Sequence, residues 1–153
     1  MDIDRRSHIP FSTRLVGCLT VVMLMAVPAL AQATDISWKT TLTSGTMGGG
    51  KFTRAGTAVL GTGETAEVKN EGTDGAIDEK GRANVTVDSV MRFKDGSSIT
   101  TRYTGFRDTK TLEVAGRGEF LSGTGKYKGI TGNFNYSGST GKTESVGTYS
   151  LKK

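Results

Sequence analysis

Residues 123–134, GTGKYKGITGNF, form the stretch that decides the fold of this chain. Four glycines fall within its first ten positions, around one aromatic and one aliphatic residue. Glycine permits positive φ angles and close approach between chain segments, so this composition predicts a compact turn. Tyr127 and Ile130 are predicted to tuck beneath the turn as apolar plugs.

Strand-like alternation surrounds this turn. Residues 111–121 alternate apolar residues or glycines with polar ones, and residues 35–43 do the same with Trp38 on the apolar face. A period of two is typical of a half-buried strand. Further strands are predicted at 51–60, 83–93, 99–106, 133–137 and 144–151. Seven or eight short strands without any helical period predict an all-β protein, either a closed barrel or a sandwich.

The turn and its flanking strands carry a family resemblance. Together with TLEVAG at 111–116 and GTYSL at 147–151, the turn resembles the allene oxide cyclase and dirigent barrel superfamily. In that family a strand ending in glycine leads to a G-x-G-x-(Tyr/Phe)-x-G-x-x-G turn and then to the closing strands. The resemblance covers about 40 residues, 111–151. It implies a small closed antiparallel barrel of eight strands around an apolar cavity, commonly assembled as a homotrimer.

The enzymatic features of that family do not match this chain. The plant cyclases use a Glu on the first strand, supported by Asn residues and a Pro. The first predicted strand here, DISWKTTLTS at 35–44, contains neither Glu nor Asn, and residues 34–153 contain no Pro. The resemblance therefore indicates an architecture rather than an activity.

The N-terminus has the parts of a secretory signal peptide. Arg5, Arg6 and Arg14 form a basic region, an apolar run follows at 15–31, and Ala-Gln-Ala precedes Thr34. We expect cleavage after residue 33, which leaves one domain, 34–153, secreted or periplasmic and without a transmembrane anchor. A lipid-anchored Cys would lie at the end of the apolar run, whereas Cys18 lies early in it. Cys18 is therefore interpreted as an ordinary residue of the signal.

Composition excludes several classes of chemistry. Without the three arginines and two aspartates of 1–33, the remaining 120 residues have 17 Lys and Arg against 13 Asp and Glu, a net charge of +4. They contain neither Cys nor His, which excludes a Ser-His-Asp triad and a thiolate zinc site. General acid–base catalysis would fall to carboxylates, Lys or Tyr. No cofactor is predicted, and the scattered basic residues predict no nucleic-acid partner.

Two local features leave alternatives open. Residues 61–82 are polar and acidic, without the spacing of a calcium loop, and are interpreted either as an exposed hairpin around 65–69 or as a loop. A bulge is predicted near Ser89, and Asp95-Gly96 predicts a hairpin turn. Glycines on the apolar face of 111–121 leave room for a neighbouring segment or a ligand, or permit a bend.

The leading functional hypothesis is a non-catalytic barrel that binds a small apolar or amphipathic ligand. Trp38, Tyr103, Phe120 and Tyr136 are the candidate cavity residues, and simple core filling is the alternative for each. A second hypothesis is a cyclase-like enzyme that acts through cavity shape, assisted by Glu113 or Glu119. A third is a structural or interaction protein of the cell envelope that presents loops such as 61–82.

Overall fold

A computed structural model describes residues 32–48 and 50–152. Eight antiparallel strands make up almost all of this part, which confirms the all-β prediction. The strands are β1 (Thr34–Gly48), β2 (Lys51–Leu60), β3 (Thr65–Ile77), β4 (Arg82–Phe93), β5 (Ser98–Asp108), β6 (Glu113–Thr124), β7 (Ile130–Ser139) and β8 (Lys142–Leu151).

The strands close into a barrel, which decides between the two predicted architectures. Their order around the barrel follows the chain, and β1 pairs with both β2 and β8. The closing seam runs from Thr34 opposite Tyr149 to Thr41 opposite Lys142. Closure satisfies the backbone hydrogen bonds that edge strands would otherwise leave unpaired.

One end of the barrel, here called the closed end, is packed with apolar side chains. The turns β2–β3, β4–β5 and β6–β7 meet there, and the last contains a 3₁₀ turn, Gly125–Tyr127. Tyr127 and Ile130 are buried, which confirms the prediction that they act as plugs. The Tyr127 ring lies 4.9 Å from that of Phe93, measured between centroids.

An aromatic layer fills the barrel above the closed end. Trp38 contacts Phe134 at 4.8 Å and Phe120 at 6.0 Å between ring centroids, and the two Phe rings lie 5.4 Å apart. A Cβ atom at Gly118 would overlap the Phe134 ring. The glycines on the inner face of β6 thus accommodate the protein's own aromatic rings.

The structure corrects the interpretation of residues 61–82. They are neither an isolated hairpin around 65–69 nor a loop, because β3 pairs along its length with β2 on one side and β4 on the other. Its inward side chains include Ala66, Val68 and Asn70, all buried. The inner face of β3 carries few large apolar side chains, and its polar outer face obscured the pattern.

The bulge predicted near Ser89 is also wrong. β4 pairs continuously with β5 through Ser89 opposite Thr101, and Ser89 is an inward residue in an unbroken alternation. A serine at a core position was mistaken for a break in the pattern. The register of the sheet shifts instead between Leu42 and Ser44, between Asp74 and Ile77, and between Thr100 and Thr101.

Leu112 differs from its predicted inward position. It is 49% exposed, with φ of 62°, in the turn that precedes β6. The predicted signal peptide lies outside the described residues except for its last two, and so does Cys18. No helix within 32–48 or 50–152 is long and apolar enough to cross a membrane.

Candidate functional site

The end of the barrel opposite the closed end, here called the mouth, contains an open cavity of about 70 Å³. The turns β1–β2, β3–β4, β5–β6 and β7–β8 surround it. Its walls are largely apolar because five inward residues on four strands are aliphatic or aromatic. These residues are Leu42, Phe52, Val85, Val87 and Val114.

Charged side chains interrupt this apolar wall. Asp74 and Arg107 form an ion pair in the mouth, with side chains only 13% and 20% exposed. Arg54 also lines the cavity, on β2 opposite Asn70 of β3. Two guanidinium groups and one carboxylate give the mouth a net charge of +1.

The floor of the mouth consists of a hydrogen-bonded pair from β3 and β5 and of Tyr136 from β7. The Asn70 Nδ2 atom donates to the Tyr103 hydroxyl at 2.9 Å. Tyr103 packs edge-on against Tyr136, with ring centroids 4.9 Å apart. The pair spans β4, so it ties together strands that do not touch through their backbones.

Both floor tyrosines stay protonated at neutral pH. Burial raises the pKa of Tyr103, its neighbour Tyr136 raises it further, and the positive charge of Arg54 acts in the opposite direction. Burial raises the pKa of Tyr136 to about 12. Their hydroxyls therefore remain neutral hydrogen-bonding groups and are unsuited to act as bases.

A second, smaller cavity of about 40 Å³ lies beneath the floor. Asn70, Tyr103 and Tyr136 line both cavities and so separate them. Buried hydroxyl groups surround the inner cavity, supplied by Thr40, Ser89, Thr101 and Ser145. A water molecule needs about 10–15 Å³ of such space, so the inner cavity has room for a few waters between polar partners.

Asn70 carries an unsatisfied atom at this boundary. The residue is 3% exposed, and its Oδ1 has no hydrogen-bond partner. Within 32–48 and 50–152 no other fully buried side-chain nitrogen or oxygen lacks one. Leaving a buried acceptor unpaired costs about 1–3 kcal/mol, so Asn70 marks a place where a donor is expected.

The four predicted cavity residues all point into the barrel but do not line the same cavity. Tyr103 and Tyr136 line the mouth and its floor, and Trp38 lines the inner cavity. Phe120 packs in the aromatic layer and lines neither of these two cavities. The candidate site thus combines two of the predicted aromatics with polar residues that the sequence did not reveal.

Four polar residues of the site were missed. Arg54 shares its strand face with Phe52 and Ala58, so the alternation of β2 contained the signal that it points inward. Asn70 and Asp74 lie in the segment interpreted as a hairpin or loop. Arg107 follows the predicted end of its strand at residue 106.

The carboxylates of the enzyme hypothesis face away from the cavity. Glu113 and Glu119 are exposed on the outer face of β6, so neither can assist a reaction inside the barrel. Asp74 is the carboxylate that lines the mouth, where it pairs with Arg107. No group of three His, Cys, Asp or Glu side chains in the described ranges is arranged to hold a metal ion.

A wider groove of about 900 Å³ runs along the outside of the closed end. Lys126 and Glu64 line it, and Lys126 forms ion pairs with Glu64 and Asp95. Lys126 and Glu64 are thus already paired, and the groove is open to solvent. The mouth is the better candidate because it combines partial enclosure with an unpaired buried acceptor.

Protein-family models, curated proteins and solved structures were compared with this chain. None of them matches. An eight-stranded barrel by itself supports many unrelated activities, so the function must be inferred from the chemistry of the mouth.

Proposed function

We propose that this protein is a binding barrel that takes up one end of a small amphipathic molecule through its mouth. The observation that carries the proposal is a half-enclosed cavity with five apolar wall residues above a polar floor. Binding sites of this kind use apolar walls for affinity and a few polar groups for orientation.

The size of the cavity restricts how the ligand binds. Pockets that enclose a drug-sized molecule measure about 300–1,000 Å³. The mouth, at about 70 Å³, can accommodate only a short part of such a molecule. The rest of the ligand extends past Arg54 and Arg107 toward solvent.

A matched pair of variants tests the proposal. Val114→Trp fills the mouth, whereas Val146→Trp adds the same ring on the outer face of β8, where Val146 is exposed. We expect 1-hexanol to shift the NMR amide signals of Leu42 and Val87 in the wild type and in Val146→Trp. Val114→Trp should abolish these shifts.

Native mass spectrometry of gently purified protein gives a second readout, the mass of a ligand retained from the cell. The proposal fails if 1-hexanol shifts no mouth signal in the wild type and no retained ligand is found. It also fails if the Val114→Trp variant responds as the wild type does, because the shifts would then arise elsewhere.

Export and family membership remain proposals of the same kind. The basic and apolar pattern of residues 1–33 supports cleavage after residue 33, and N-terminal sequencing of the purified protein tests it. The closed eight-stranded barrel agrees with the architecture that the cyclase and dirigent resemblance implies. Sedimentation of the purified protein tests the homotrimer that the same resemblance implies.

A further inference from the structure

We infer that the bound molecule carries a neutral hydroxyl group that donates a hydrogen bond to Asn70 Oδ1. This inference rests on the proposed function and names the chemical class of the ligand. Its basis is the buried acceptor without a partner on Asn70, a residue that lines the mouth.

The position of Asn70 is fixed by its other contacts. Nδ2 donates to Tyr103, whose ring packs against Tyr136. In this arrangement the carboxamide uses Nδ2 for Tyr103 and Oδ1 is left without a partner. An acceptor of this kind pairs with an O–H or N–H donor and gains nothing from an ether or a carbonyl oxygen.

The charge of the mouth selects among possible donors. Arg54 and Arg107 outnumber Asp74, so the net charge of +1 disfavours an ammonium group. A carboxylic acid would be ionised at neutral pH and would have no proton to donate. A hydroxyl is the smallest neutral donor, which suits a cavity of about 70 Å³.

The apolar part of the ligand then follows the wall. A hydroxyl at the floor places the adjoining carbons beside Val85, Val87 and Leu42, which line the same cavity. The ligand class is therefore a small alcohol, or a larger amphipathic molecule that ends in an alcohol.

A pair of isomeric probes tests this directly. 1-Hexanol and methyl pentyl ether have the same composition and nearly the same shape, but only the alcohol can donate. NMR titration of the wild type should give a dissociation constant about fivefold lower for 1-hexanol, the ratio that one ordinary net hydrogen bond produces. Equal affinity, or tighter binding of the ether, would overturn the inference while leaving the proposed binding function intact.

Two variants test whether Asn70 is the residue that accepts the hydrogen bond from the alcohol. Asn70→Leu keeps a side chain of similar size without the acceptor, and it should bind 1-hexanol no more tightly than the ether. Asn133→Leu makes the same change on the exposed outer face of β7 and should keep the preference. A preference that survives in Asn70→Leu would refute the assignment.

The three results can be told apart. Failure of both probes to shift mouth signals, together with the absence of a retained ligand, removes the proposed function itself. Equal dissociation constants for the two probes overturn only the inference that the ligand donates a hydrogen bond from a hydroxyl group. If Asn70→Leu does not fold, the comparison of alcohol and ether on the wild-type protein still decides the question.

Discussion

Asp74 and Arg107 form an ion pair inside the mouth although their strands, β3 and β5, are separated by β4. The pair spans β4 at the level of Val85, which is paired with Asp74 of β3 on one side and with Gly105 of β5 on the other. It therefore links two strands that share no backbone hydrogen bonds. Its low exposure separates it from the ion pairs on the outer surface.

Removal of the Asp74 carboxylate is expected to destabilise the barrel. Exposed pairs contribute about 0–1 kcal/mol and breaking a fully buried one costs about 3–5 kcal/mol, so we expect Asp74→Asn to lower the free energy of unfolding by about 2 kcal/mol. Urea denaturation followed by circular dichroism measures the change. Glu144→Gln, which breaks the exposed pair between Lys39 and Glu144, should have almost no effect. Equal losses in both variants would show that the mouth pair has no special role.

Addition of one methyl group at Gly118 is expected to disturb the aromatic layer. A Cβ atom there would overlap the Phe134 ring and lie close to Tyr103. Overpacking of this kind costs about 1–3 kcal/mol, which thermal unfolding of Gly118→Ala would detect. Gly75→Ala is the control, because its nearest neighbour, the Asn84 carbonyl oxygen, lies at an ordinary 3.4 Å. The packing explanation would be refuted if Gly118→Ala were as stable as the control.

The Tyr127 plug should contribute through its ring rather than its hydroxyl. Deletion of a buried aromatic ring costs about 3–5 kcal/mol, so Tyr127→Ala should unfold far more easily than the wild type. Tyr127→Phe loses only a long contact to Glu64, at 3.4 Å, and should lose less than about 1 kcal/mol. Guanidinium denaturation compares the three proteins. Since the plug lies at the closed end, Tyr127→Phe should bind 1-hexanol like the wild type.

Asp95 makes the stability of the folded state depend on pH. Hydrogen bonds from the Ser97 hydroxyl and backbone N–H, followed by one from Lys126, lower the pKa of Asp95 from 3.8 to about 2. The folded state therefore binds this proton more weakly than the unfolded chain does. The stabilisation is complete above about pH 4 and is lost as the pH falls toward about 2.

The variant Asp95→Asn isolates that contribution. We expect it to be less stable than the wild type at pH 7 and to converge with the wild type as the pH falls below about 2, because neither a protonated Asp95 nor the asparagine that replaces it carries a charge. Unfolding by urea at a series of pH values provides the comparison. A constant difference at every pH would mean that the carboxylate's charge is not what stabilises this turn.

Sequence patterns were enough to predict the barrel because apolar and polar residues alternate clearly in most of its strands. The run around Trp38 and the run ending at Phe120 showed their inner faces, and the turn at 123–134 showed where two strands reverse. β3 was missed because its inner face carries Ala66, Val68 and Asn70, which are too small or too polar to stand out. The periodicity of large apolar residues is informative only where such residues are used.

The candidate site was less accessible to sequence reasoning. Two of its tyrosines were identified because aromatic residues at inward positions suggest a cavity. The ion pair between Asp74 and Arg107 depends on two strands that close over a third, and no local pattern records that arrangement. The unpaired Asn70 Oδ1 depends on which neighbour its amide meets, which only the folded barrel determines.

The seam between β1 and β8 has a consequence for how the chain is made. During synthesis β1 must wait for β8, because its second partner begins at Lys142. Until then the sheet stays open with two unpaired edges, at β1 and β7, and an interrupted chain would keep them. Closure of the seam therefore depends on β8: a chain that lacks this strand keeps two open sheet edges, which expose it to aggregation and proteolysis.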